Sequence, residues 1–180
     1  MTKALVVDAS AMITFLRSEP GADAVLQVMS ARKRSGGALL VPAGFWLEIV
    51  NSLIRRHRMS SAEVLEALTE IDAFGIQAVQ LERPMVLMVL DLAERFGLTG
   101  YDASYLALAI TERADLLTLD GELTSAAGDM AVRMDDGDRL HETPVFYEHD
   151  VTWPNYKEAS SYLARLRARA IARREAAGSG

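Results

Sequence analysis

Residues 98–120 read LTGYDASYLALAITERADLLTLD, and this stretch decides the fold. From Tyr101 to Arg113 the residues Tyr105, Leu106 and Ala109 recur on one stripe, the period of a helix. Leu116–Leu119 is then a short apolar strand that runs into Asp120. The start of the chain repeats the theme. Ala4–Val7 is an apolar, β-branched run ending at Asp8, and Ala9, Met12, Ile13 and Leu16 follow at helical spacing over about residues 9–17. In both places a buried strand delivers an acid and a helix begins.

The segments between extend the alternation. Glu19-Pro20-Gly21 breaks the first helix, Ala22–Arg34 is helical, and Ser35-Gly36-Gly37 turns into a second apolar strand, Ala38–Val41. Pro42 opens a helix over about 43–57, and the capping box Ser60-Ser61-Ala62-Glu63 starts another over about 62–74. Ile76–Leu81 reads as a third strand, Pro84 to about Phe96 as a helix closed by Gly97, Gly121–Ala127 as a short helix and Ala131–Met134 as a fifth strand. Short strands alternating with longer helices predict an α/β fold with a mostly parallel sheet.

Composition narrows the classes. The chain has 180 residues, enough for one domain, and half of them are hydrophobic. No apolar run approaches the ~20 residues of a membrane span, and the N-terminus lacks the features of a signal peptide. With no cysteine, thiolate metal sites and cysteine nucleophiles are excluded, and a cytoplasmic location is expected. Net charge is −6, unevenly spread: residues 1–150 carry 13 Lys and Arg against 23 Asp and Glu, while residues 151–180 carry 6 against 2. An acidic body argues against general nucleic-acid affinity. It does not argue against a nucleic-acid enzyme that binds a cation, because the cation restores positive charge.

In a parallel sheet, ligands bind beyond the carboxyl ends of the strands. Asp8 and Asp120 fall there, and Asp102 opens a helix whose stripe faces inward. Taken singly, each reads as a helix cap. Glu48 shares a helical stripe with Gly44, Asn51, Ser52 and Arg55, while Trp46, Leu47, Ile49, Val50, Leu53 and Ile54 cover the other side. Taken singly, it is a solvated residue. Taken together, four converging carboxylates would repel strongly, at roughly 4 kcal/mol for each pair ~4 Å apart, unless protonated or sharing a cation. Oxygen-only ligands select a hard ion such as Mg²⁺ or Mn²⁺. No P-loop, GxSxG, HExxH or GxGxxG motif suggests other chemistry.

VVDASAMI (6–13), FWLEIVNSL (45–53), LTGYDASYLALAI (98–110) and LLTLDGEL (116–123) resemble the four acidic motifs of PIN-domain ribonucleases, nearest to the VapC-type toxins of toxin–antitoxin systems. The resemblance covers roughly residues 3–135. It implies a three-layer α/β/α sandwich with a mostly parallel sheet over residues 1–138, followed by a C-terminal extension over 139–180. It implies that Asp8, Glu48, Asp102 and Asp120 bind Mg²⁺ or Mn²⁺ and that the protein hydrolyses RNA phosphodiester bonds. An antitoxin partner and a homodimer are expected on the same ground.

Ser10 and Thr118 each stand two residues from a proposed ligand and offer a hydroxyl to a carboxylate; their alternatives are a cap and an ordinary strand residue. Arg32-Lys33-Arg34 and Arg55-Arg56-His57-Arg58 are candidate RNA contacts or solvated helix ends, and Arg55 carries more weight because it shares the Glu48 stripe. Two other functions stay open. One is a catalytically inactive PIN-like module that binds RNA or protein. The other is a phosphatase with an aspartyl nucleophile, which would normally carry a second Asp at position 10, where Ser10 stands. The extension pairs an aromatic, Pro-containing stretch (141–156) with a helix over 159–176 bearing Arg165, Arg169 and Arg173. It reads either as an added helix over the sheet edge or as a segment packed on an acidic surface in the antitoxin's place or guiding RNA.

Overall fold

Four strands, β1 (Leu5–Val7), β2 (Leu39–Pro42), β3 (Gln77–Val79) and β4 (Asp115–Leu117), form one all-parallel sheet in the order β3-β2-β1-β4 in the computed structural model, which describes residues 2–134. Leu5 pairs with Leu39 on one side and Asp115 on the other, and Leu40 pairs with Gln77. Parallel strands need covering on both faces, and β1 accordingly has all three residues fully buried. Seven helices supply the cover: α1 (Ala9–Leu16), α2 (Ala22–Arg34), α3 (Phe45–Arg55), α4 (Ser61–Asp72), α5 (Arg83–Phe96), α6 (Gly100–Glu112) and α7 (Gly121–Ala127). The result is the expected α/β/α sandwich.

Helix α6 is its axle. It packs across β1, β2 and β4 and is backed by α5, and every residue from Ala103 to Ala109 is buried. That is why its sequence reads apolar almost all round. Helix α1 packs on α2 and α3, and α3 on α4. The capping box at Ser60 is formed in full, with Glu63 reaching back to the Ser60 amide at 2.7 Å. Gly97 ends α5 at φ 71°, a conformation that favours glycine.

The chain leaves β1 toward β2 and β3, then returns to add β4 on the other flank of β1. The crevice beyond the ends of β1 and β4 is therefore the topological switch point, where ligands of such sheets bind. At the opposite end of these strands, Arg32 is 4% exposed and donates to the carbonyls of Lys3 (2.6 Å) and Ala4 (3.0 Å) and to Asp115 (2.5 Å). Arg32 is thus a structural bolt, and not an RNA contact as its basic cluster allowed. Gly37 makes room for it: a Cβ there would stand 2.5 Å from Arg32 Cδ.

Three sequence expectations need correction. Ala131–Met134 is not a strand; after one 3₁₀ turn over Gly128–Met130, Ala131 makes a single parallel bridge to Leu116. With β4 only three residues long, little edge is offered for more. The third strand shrinks to Gln77–Val79, half exposed at the sheet edge. On α3, Leu47 is 76% exposed while Ser52 is buried, so the helix is rotated from its simple polar and apolar division. Among the described residues no helix is long and apolar enough to cross a membrane. The aromatic stretch and the Arg-bearing helix of the extension lie outside the described residues.

Candidate active site

Asp8 follows β1 directly and is only 2% exposed. As the first cap of α1 it accepts the Ser10 amide at 3.3 Å, and the Ser10 and Thr118 hydroxyls also donate to the same oxygen, Oδ2, Thr118 at 2.8 Å. Each hydroxyl is itself held by a backbone amide, Leu119 N–H on Ser10 Oγ and Asp120 N–H on Thr118 Oγ1, both at 3.0 Å. Both hydroxyl protons are therefore committed to Asp8, and the 3.3 Å approach of Ser10 to Thr118 is a contact between two acceptor-side oxygens. Burial pushes the Asp8 carboxyl above the usual range. The two hydroxyls oppose this shift and the charge of Asp102 adds to it.

Glu48 sits in the first turn of α3, where the Tyr105 hydroxyl of α6 donates to its Oε2 at 2.7 Å. Burial raises its carboxyl too, against the Tyr105 hydrogen bond, and the charges of Asp8 and Asp102 raise it further. Tyr105 is fully buried, and burial followed by the charges of Glu48 and Asp8 drive its phenol upward, so it stays a proton donor. Asp102 occupies the third position of α6. Its presumed cap role belongs to Thr99, which accepts the Asp102 amide at 3.2 Å and donates its hydroxyl to Asp102 Oδ2 at 2.6 Å. Asp102 is freed from capping and fixed in direction.

Asp8, Glu48 and Asp102 therefore share one electrostatic site. Asp120 stands at its rim. Its carboxylate caps α7 through the Leu123 amide at 2.8 Å, and its own amide reaches Asp8 through Thr118. Its charge is not among those that perturb Asp8 or Glu48. Each of the four acids has one oxygen pinned by a donor, while the other accepts no hydrogen bond among the described residues. Among those residues no three acidic or imidazole side chains are close enough to hold one ion. Even so, the donor chemistry fits a hard cation: all oxygens, two carboxyls raised by burial and by their neighbours, and one free oxygen on each.

Thr118 offers its hydroxyl to a carboxylate as expected, and the carboxylate is that of Asp8 on the neighbouring strand's end, not that of nearby Asp120. Ser10 serves Asp8 as expected. Arg55 is exposed two helical turns beyond Glu48, ~10 Å along the axis. Two residues escaped the sequence reading. Thr99 was visible as a Thr three positions before an acid, the spacing of a capping box. Tyr105 lies one turn after Asp102 on the inward stripe, but its partner is 57 residues away and no local pattern names it.

A family model described as PIN domain matches residues 5–129. Ribonuclease VapC3 of Pyrobaculum aerophilum is 34% identical over 123 residues, which span 66% of this chain and 91% of that one. In fold, the chain is similar to the crystal structure of PAE2754 from Pyrobaculum aerophilum, with a TM-score of 0.57 and 23% identity over 75% of this chain and 86% of that chain. It is also similar to a toxin–antitoxin complex from Klebsiella pneumoniae, at 0.53 and 16% over 73% of this chain and 98% of that chain. With a parallel sheet under helices on both faces and the match running from β1 past α7, this chain belongs to the PIN domain family.

Proposed function

We propose that the protein is a Mg²⁺- or Mn²⁺-dependent endoribonuclease, the toxin of a toxin–antitoxin pair, which hydrolyses RNA phosphodiester bonds. The observation that carries this reading is the shared electrostatic site of Asp8, Glu48 and Asp102: burial and the charge of Asp102 raise Asp8, and burial and the charges of Asp8 and Asp102 raise Glu48. Asp8, Glu48 and Asp102 would hold the cation through their free oxygens, and Asp120 would join from the rim by turning its free oxygen inward. A divalent ion bound there would supply Lewis acidity toward the phosphate and lower the pKa of an attacking water.

The chain's own residues do the positioning. Ser10 and Thr118 fix the Asp8 carboxylate and keep its charged form accessible despite burial, and Thr99 and Tyr105 do the same for Asp102 and Glu48. Arg55, exposed on the same helix as Glu48, would meet a backbone phosphate on that side. The name of the VapC3 relative and the toxin–antitoxin fold neighbour support RNA as substrate and an antitoxin protein as partner; a homodimer is part of the same reading.

The test is cleavage of total RNA with Mg²⁺, Mn²⁺ or EDTA by wild type and by Asp8→Asn. Cleavage with either metal, none in EDTA, and a loss of about 100-fold or more in the variant are expected. Equal cleavage by Asp8→Asn, or cleavage undiminished by EDTA, would overturn the proposal.

A further inference from the structure

A cavity of about 270 Å³ opens beside the acidic centre and shares Glu48 with it. Pro42, Phe45 and Leu81 make its apolar wall, and Tyr101 lines it while remaining 64% exposed. Gly44, Gly100 and Ser104 complete the lining, and neither glycine has a positive φ that would demand it. Gly44 has φ −70°, Gly100 is not in the positive-φ set, and a Cβ built on either meets no atom within 4 Å. Gly44 is the cap of α3, a position glycine fills well, whereas Gly100 is the first residue of α6, where most side chains are better tolerated than glycine. What their lack of a side chain preserves is empty space, and the two clear the same cavity. Gly121 is similarly open, but it stands beside Asp120 outside this wall.

We propose that this cavity receives one unpaired base of the RNA strand, adjacent to the phosphate at the acidic centre; the ligand class rests on the nuclease reading above. The walls suit a flat, largely apolar ring system, and the volume suits one base and not two. The described lining holds no cation to attract a phosphate. Tyr101 offers an aromatic surface of the kind on which single-stranded bases stack. Tyr101 would thus be a binding residue that positions the strand.

The full-length protein, ¹⁵N-labelled and in EDTA, is titrated with adenosine, guanosine, cytidine and uridine, with ribose as the base-free probe. The backbone amides of Gly44, Gly100, Tyr101 and Ser104 report binding. At least one nucleoside should move them saturably and ribose should not. Tyr101→Ala should weaken that nucleoside by about tenfold. Gly100→Leu should abolish its binding while leaving the melting temperature unchanged or higher, which separates a filled cavity from a damaged fold. Absence of saturable shifts with every nucleoside, equal shifts with ribose, or variants that bind like wild type would each overturn the subsite. So would an acetylated Arg-Trp dipeptide amide, standing for a partner protein's side chains, that moves these amides where no nucleoside does. No cleavage and no metal enter this readout. Nucleoside binding by a protein that cleaves no RNA would retire the nuclease reading alone, and cleavage without nucleoside binding would retire only the subsite.

Discussion

Asp8 takes three hydrogen bonds on one oxygen and still has a raised carboxyl pKa, because burial outweighs them. A carboxyl that holds its proton more tightly folded than unfolded leaves the native state with more bound protons between the two pKa values. Stability therefore falls as pH rises through that window, and the penalty is complete above the raised native value. Asp8→Asn should accordingly stabilise the metal-free protein at neutral pH by on the order of 1 kcal/mol, and the gain should vanish below the ordinary value of 3.8. Denaturant melts in EDTA across pH 3–8 check both halves. Thr118→Val removes a donor from Asp8 and the acceptor of the Asp120 amide. It should lower cleavage about 10- to 100-fold, with Thr118→Ser restoring most of it, as initial rates at saturating Mn²⁺ would show.

At the scale of elements, the two ends of the strands have separate duties. Arg32 at the end of α2 ties the entry of β1 to β4, far from the acids at the strands' exits. Arg32→Met leaves two carbonyls and Asp115 without this partner, and should destabilise the fold by about 3 kcal/mol. Specific cleavage at a temperature where the variant is folded should stay at the wild-type value, which thermal melts paired with rate assays would reveal. Much of this layer is legible in the sequence. Helices α2 and α7 fall at the expected residues and β1 runs straight into Asp8, whereas β4, expected over 116–119, ends at Leu117, three positions before Asp120. Helical spacing cannot say which flank of an amphipathic helix finds a neighbour, and so the exposure of Leu47 and Ile54 was hidden. The side-chain bonds from Thr118 to Asp8 and from Tyr105 to Glu48 join residues 110 and 57 positions apart. Those pairings are set by strand order, which no local pattern encodes.

At the scale of the whole molecule, the chain carries net charge −6, with residues 1–150 more acidic than the rest. A protein of this balance cannot hold RNA by broad phosphate neutralisation, so few cations share the contact. Binding of a single-stranded RNA by Asp8→Asn between 50 and 200 mM KCl should show a log–log salt slope of only about −1 to −3. A steeper dependence would mean that the basic residues beyond position 150 take part.

The proton-hungry pair of buried Asp8 and half-buried Glu48 has an evolutionary corollary. Under selection for heat endurance alone, with no demand for turnover, Asn and Gln should surface there ahead of changes in the central helix. Such a population would drift toward hardier molecules that no longer cut anything.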